Sequence, residues 1–367
     1  MLGLKLLLMF YKDKELNFDR KTSASLTFLP NKTVEHTIEL SNVSSIIECG
    51  DFKLHDFLAR YLSGDESLKS ARSISRKRLA LVSTGLICPD LEALTLYVQQ
   101  KRYIEAKEYL KSQPQIQLSH LLEINSILSP DSKNSGKIRK TQNCLRATNK
   151  KITYTPPAPQ EVKALLLNLV SFINNESYSP LTRAITAHCQ LALIHPFHDG
   201  NGRVARVLWD VIVENAQLDL INPMIYRLQN TSAPYIQAVD AFGSKSFEGT
   251  RYSFWEKSIE WGEVYKQRIK ILIENTQQQI QLKTMLFLLT NEAQQLLNHL
   301  WKQPLVHLNN ISETFNWSNK ICIQAILELQ KYGLVTPRNV KHPQGEVVYE
   351  CQEILTLWHQ LEDAIFN

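Results

Sequence analysis

No two cysteines of this 367-residue sequence stand in a CxxC pair, and the six present (Cys49, Cys88, Cys144, Cys189, Cys322 and Cys351) are scattered. That argues against a zinc cluster and against a disulfide scaffold, and it fits a reducing compartment, most simply the cytoplasm. No apolar run reaches the roughly 18 residues of a membrane-spanning helix, so no membrane partner is expected. The apolar stretch 2–11 is short, carries Lys5, and is followed by Lys12-Asp13-Lys14-Glu15 rather than by a small-residue cleavage site. It reads as part of a packed N-terminal element, not as a signal peptide. Internal repeats and low-complexity tracts are missing. Glycine is scarce, at 12 residues, so glycines that cluster carry information. Hydrophobic residues at 44% and charged residues at 21% exclude a disordered or collagen-like chain. At about 150 residues per domain the length suggests two or three domains.

The net charge of +5 is unevenly spread. From Thr290 onward eight acidic residues oppose five basic ones, which leaves −3 there and +8 in the remainder. Lys133, Lys137, Arg139, Lys140, Arg146, Lys150 and Lys151 crowd one stretch against the single acid Asp131. Such a cluster is either a solvated loop or a surface for phosphate or an acidic partner.

Hydrophobic spacing predicts a mainly helical chain. Helical patterns run over 36–62 with a break at Gly50, then over 90–110, 118–128, 161–173, 181–194, 203–215 and 252–289. The alternation Lys151-Ile152-Thr153-Tyr154-Thr155 suits a hairpin strand, stopped by Pro156, Pro157 and Pro159. After residue 290 the order is helix, short strand, helix, turn, helix and two strands, the order of a winged helix-turn-helix. DNA binding is the usual reading of that order. The expected reading helix carries only Lys320 and Lys331 against Glu328, and the segment is net acidic, whereas non-specific DNA affinity rests on cations at phosphates. A protein-contact or dimerisation role, including pairing of two copies, is therefore favoured over DNA.

The chemistry concentrates in His195-Pro196-Phe197-His198-Asp199-Gly200-Asn201-Gly202-Arg203-Val204-Ala205-Arg206, between two helical segments. Gly200 and Gly202 bracket Asn201 and allow close backbone approach to a ligand. Amides at the start of the following helix form an anion site, helped by the helix dipole. Arg203 and Arg206 lie three apart on one helix face, and two guanidinium groups there imply a polyphosphate. Asp199 is a hard oxygen ligand suited to Mg²⁺ on that phosphate. His195 is a candidate general base.

These residues resemble the Fic family motif H-x-F-x-[DE]-G-N-G-R-x-x-R, without a mismatch at its fixed positions. Chance would give such a match roughly once in 10⁸ chains of this length. Gly136-Lys137-Ile138-Arg139-Lys140-Thr141-Gln142-Asn143, Tyr154-Thr155-Pro156-Pro157 and Ala187-His188-Cys189-Gln190 are similar to further family segments. The resemblance covers about 115–265. It implies a helical Fic core with a short β-hairpin flap, and transfer of AMP from ATP to a Ser, Thr or Tyr hydroxyl of a target protein. By position it implies His195 as base, Asp199 on Mg²⁺, and Gly200, Asn201 and Gly202 at the α-phosphate. Arg203 and Arg206 would take the β- and γ-phosphates, and Phe197 would anchor the loop. Lys150, Lys151 and Tyr154 would form the flap that pairs with the target, with the basic cluster selecting an acidic one. Ser44-Ser45-Ile46-Ile47-Glu48 resembles the family's inhibitory helix, with Cys49 in place of its Gly or Asn. Glu48 would then bond Arg206 and misalign the nucleotide. The alternatives are removal of AMP, transfer of another nucleotide or phosphate group, and a nucleotide-sensing transcription regulator. The expected segments are an N-terminal helical region over 1–110, the Fic core over 111–270, a connecting helix over 271–289 and the winged helix over 290–367.

Overall fold

In a computed structural model of the chain the described residues are 48–63, 91–146, 152–229, 232–242, 253–285, 288–338 and 347–366. The chain opens with two short strands, β1 (Glu48–Cys49) and β2 (Phe52–Lys53). Helices α1 (Leu54–Leu62), α2 (Leu91–Lys111) and α3 (Leu118–Leu128) follow, then strands β3 (Leu145–Arg146) and β4 (Ile152–Tyr154). Next come α4 (Pro159–Ile173), α5 (Pro180–Ile194), α6 (Asn201–Asn215), α7 (Pro223–Tyr226), α8 (Ser232–Phe242) and the long α9 (Ser253–Thr284). The last stretch holds α10 (Asn291–Lys302), β5 (Leu305–His307), α11 (Leu308–Phe315), α12 (Asn319–Lys331), β6 (Thr336–Arg338), β7 (Val348–Glu350) and α13 (Gln352–Phe366). The mainly helical expectation holds, and α3 keeps the bounds read from the spacing.

Two compact units divide these elements. One takes the described residues between Arg102 and Gly262, and the other takes those between Ile46 and Lys101 together with those from Glu263 on. The division follows neither the expected 1–110 segment nor the expected boundary at 290.

In the first unit α5 and α6 make the most extensive helix pair. From Arg203 to Val213 every residue of α6 is buried. A helix enclosed on all sides sits at the centre of its unit, and packing here overrides the weak helix propensity of its four valines and one isoleucine. Trp209 stacks on Trp255 with ring centroids 5.6 Å apart. The helix starts are cut sharply. Ser179 caps α5 by accepting from the Thr182 amide, with Pro180 in the first turn. Pro159 likewise begins α4 instead of merely ending the strand before it.

The second unit carries a three-stranded antiparallel sheet in the order β5-β7-β6. Strands β5 and β7 pair through Val306 and Tyr349, and β6 and β7 through Pro337 and Tyr349. Helices α10 to α12 precede and interleave with this sheet in the expected order. The added helix α13 was not read from the sequence. It closes the unit through Tyr61, which donates to Glu362 at 2.7 Å, and Tyr265, which donates to the Leu361 carbonyl at 3.1 Å.

The expected inhibitory helix is corrected at Glu48 alone. Ser44 lies outside the described residues, and Glu48 stands in strand β1 opposite Lys53. Gly50, at φ +54°, turns the chain back so that Cys49 pairs with Phe52. That turn commits the main chain at Glu48 and Cys49 to a hairpin ladder. A Cβ on Gly50 would lie 2.8 Å from both the Asn298 carbonyl oxygen and Trp301. Gly50→Ala is therefore expected to cost about 2–3 kcal/mol through strain and overpacking. A urea-unfolding midpoint equal to wild type would contradict this account of the hairpin.

Candidate active site

His195 ends α5 in the left-handed region, at φ 48° and ψ 59°, with its amide bonded to the Leu191 carbonyl. Such a conformation is uncommon outside glycine and asparagine and has to be held by its surroundings. Arg139 does much of that holding. Its Nε donates to the His195 carbonyl at 2.8 Å and its main-chain N–H to the Pro196 carbonyl at 2.9 Å. The remaining guanidinium nitrogens reach the carbonyls of Thr141, Ile194 and Pro157. Burial lowers the pKa of this arginine, yet several carbonyl acceptors around it keep a buried cation tolerable.

The His195 side chain is half-buried, and its Nδ1 lies 3.3 Å from the Ala192 carbonyl oxygen. Only the tautomer with hydrogen on Nδ1 can bond a carbonyl, which leaves the lone pair on Nε2. Burial pulls its pKa down to about 4, against the Ala192 bond, and the Arg139 cation adds to the lowering. The imidazole is neutral at pH 7 and ready to accept a proton at Nε2.

After His195 the chain turns through Phe197, whose ring is almost wholly buried, as expected of a loop anchor. The Asn201 amide group bonds both ways with the Phe197 main chain, Oδ1 accepting from its N–H and Nδ2 donating to its carbonyl, each at 2.9 Å. The side chain expected to hold phosphate thus braces the loop, which leaves the main-chain amide of Asn201 as its contact for a ligand. Helix α6 begins at Asn201, two residues before the expected start. Its N-cap is Gly200, at φ 82° and without a side-chain cap, and the first intrahelical bond runs from the Val204 amide to the Gly200 carbonyl. The amides of Asn201 and Gly202 precede that bond, the arrangement that favours anions.

Gly200 is required by space as well as by φ. An added Cβ would meet Ser129 Oγ at 2.5 Å and Asn125 Nδ2 at 2.9 Å. Asn125 donates to the Asp199 carbonyl at 2.9 Å and accepts from the Gly136 amide at 3.0 Å, so α3 is stitched to the motif turn. The sequence reading missed Asn125. Its signal was present, since an asparagine stands among Leu121, Ile124 and Leu128 on the buried stripe of α3.

The two arginines differ. Arg203, buried, donates to the Leu128 carbonyl at 2.6 Å and to Asp199 Oδ2 at 2.7 Å. Arg206, also buried, acts electrostatically on Tyr103, His188 and Tyr235. Its charge and that of Arg227 reinforce the burial that pulls the His188 pKa down to about 3. His188 is correspondingly a neutral partner of the Tyr235 hydroxyl, 3.1 Å away. The Asp199 side chain is about half exposed, at 49%. Among the described residues no group of three or more His, Cys, Asp and Glu side chains could hold a metal ion. A single exposed carboxylate suits Mg²⁺ that arrives with phosphate oxygens as its other ligands.

Lys150 and Lys151 lie outside the described residues. The hairpin itself is present: β3 and β4 pair through Leu145 and Tyr154. The Tyr154 hydroxyl donates to the Leu193 carbonyl at 2.7 Å, so it ties the hairpin to α5, and Gln142 adds a bond to the Pro156 carbonyl at 2.8 Å.

With this geometry in view, comparison with known proteins is decisive over one stretch: the Fic/DOC family model matches residues 115–213. Over those residues the chain is similar to Fic/DOC proteins. Protein adenylyltransferase fic-1 of Caenorhabditis briggsae is 35% identical over 117 residues, 30% of this chain and 22% of that protein. Protein adenylyltransferase Fic of Aedes aegypti is 32% identical over 155 residues, 41% of this chain and 29% of that protein. The chain spans less than a third of the length of these curated relatives. Among solved structures, residues 134–508 of Fic-1 from C. elegans align with a TM-score of 0.42 and 26% identity over 56% of this chain and 61% of that one. The matched residues include the turn between α5 and α6, and the second unit lies beyond them.

Two outcomes test this geometry. Gly200→Ala should lower the unfolding free energy by about 2–4 kcal/mol, read by denaturant titration. The His195 ring should titrate in an NMR pH series near 4 instead of near 6.5. A depressed folded-state pKa means that the unfolded chain binds the proton first. The contribution of His195 to stability is thus complete above pH 6.5 and is lost as the pH falls toward 4.

Proposed function

We propose that this chain transfers AMP from ATP to a Ser, Thr or Tyr hydroxyl of a target protein. The observation that carries the reading is a neutral imidazole, its Nδ1 committed to a carbonyl, placed next to an uncapped helix N-terminus that holds two buried arginines. In the reaction, Nε2 of His195 takes the hydroxyl proton. The freed oxygen forms a bond to the α-phosphorus, the bond from that phosphorus to the bridging oxygen breaks, and pyrophosphate leaves. The amides of Asn201 and Gly202 receive the α-phosphate, and Arg206 takes the far end of the triphosphate. Arg203 orients Asp199 through their 2.7 Å contact and lies beside the phosphates. Mg²⁺ held by Asp199 would neutralise phosphate charge. Positioning and charge neutralisation supply most of the acceleration in such transfers. Relatives named protein adenylyltransferase support the reaction class.

For the second unit we propose contact with protein. The exposed side of α12 carries Ile323 and Leu327 between Lys320 and Lys331, while Glu328 is occupied by the Thr290 amide and hydroxyl. Apolar side chains at the centre of that face suit a protein surface better than a phosphate backbone.

Labelled ATP added with a cell lysate, followed by mass spectrometry of the labelled species, tests the reaction. His195→Ala should abolish labelling while ATP affinity stays within about threefold of wild type. Labelling that survives in His195→Ala would refute the base assignment. Labelling by a different nucleotide alone would refute the choice of ATP.

A further inference from the structure

Two charge-bearing ladders face each other below the motif. On α6, Arg206, Asp210 and Glu214 follow at successive turns, and on α2 Tyr103, Lys107 and Lys111 do the same. Lys107 and Lys111 each pair with Glu214 at 3.0 Å, so the lower rung is closed by its own cations. The middle rung is built differently. Asp210 Oδ2 accepts from the Tyr103 hydroxyl at 2.8 Å, and Oδ1 accepts from Asn222 Nδ2 at 2.7 Å. The same Asn222 nitrogen also lies 3.3 Å from the Arg206 carbonyl oxygen, and Asn222 Oδ1 accepts from the Met224 amide. Tyr103, Asp210 and Asn222 are all buried, at 1%, 8% and 3% exposure. Asn222 thus ties the Asp210 carboxylate to the main chain of the turn that carries Arg206, and the Arg206 charge acts on the Tyr103 hydroxyl.

We infer that Tyr103, Asp210 and Asn222 form a positioning network that holds the Arg206 guanidinium in place for the terminal phosphate of the nucleotide. The inference rests on the AMP-transfer reading. Its physical basis is that Asn222 holds both the Asp210 carboxylate and the Arg206 carbonyl, which fixes the turn that carries the arginine, and that a carboxylate fixed from both sides cannot swing toward the ligand. The network joins three separate stretches of chain at the turn that presents Arg206, so the arginine keeps its place before ATP arrives. None of the three residues touches the reacting atoms, so each acts through Arg206.

Affinities of the full chain for ATP and for ADP, each with Mg²⁺, test this by calorimetry in wild type, Tyr103→Phe, Arg206→Ala and the double variant. Tyr103→Phe removes one oxygen and should weaken ATP binding about tenfold, the size of one hydrogen bond to a charged group, while ADP binding stays within about twofold. In the Arg206→Ala background Tyr103→Phe should change ATP affinity no further. Asp210→Asn, which keeps the shape and removes the charge, should give the same pattern. Equal weakening of ATP and ADP, or an undiminished effect of Tyr103→Phe without Arg206, would overturn the network's role and leave the AMP-transfer reading standing. A wild-type chain that binds neither nucleotide would overturn that reading, and this inference with it.

Discussion

The Arg139 side chain is almost wholly enclosed, and its guanidinium donates to main-chain carbonyls at Thr141, Pro157, Ile194 and His195. A buried cation is costly unless every donor finds an acceptor. Those carbonyls come from the segment after α3, from the end of the hairpin and from the last turn of α5. Once the guanidinium is placed, the hairpin and the end of α5 are fixed to one another, and His195 is held in a backbone conformation that it would not choose alone. The depressed pKa of its ring follows from the same enclosure, and so does the free lone pair on Nε2.

The motif turn shows how main chain and side chains divide the work. Asn201 braces the turn with its side chain and offers an amide, Gly200 yields space to Ser129 and Asn125, and Arg203 holds Asp199. Several polar residues of the motif are thus occupied with one another. The helix-start amides and one imidazole nitrogen remain to face a ligand. This is a site organised before its ligand binds, which is what a reaction driven by positioning needs.

Much of this was legible in the sequence because the determinants are local. The spacing of apolar residues set α3 within its bounds and brought the starts of α4 and α5 to within two residues. The glycines around Asn201 marked a close approach in a chain that uses few of them. The misses have physical causes. A glycine at 50 reads equally as a helix break or a hairpin turn, and the contacts of that turn with Asn298 and Trp301 decide for the hairpin. Asn125, Tyr103, Asp210 and Asn222 look like ordinary polar residues until partners distant in sequence bury them.

From its sequence alone this protein was determined to be mainly helical, to carry a Fic-like motif, and to place an imidazole, a carboxylate and two arginines within twelve residues. Local steric preference and residue chemistry suffice for that. Tertiary structure alone decided that Asn201 holds the turn, that Arg203 and Arg206 have different neighbours, that Glu48 stands in a strand and that His195 is neutral. Each of those depends on which groups exclude water together, a relation between segments that no local pattern encodes.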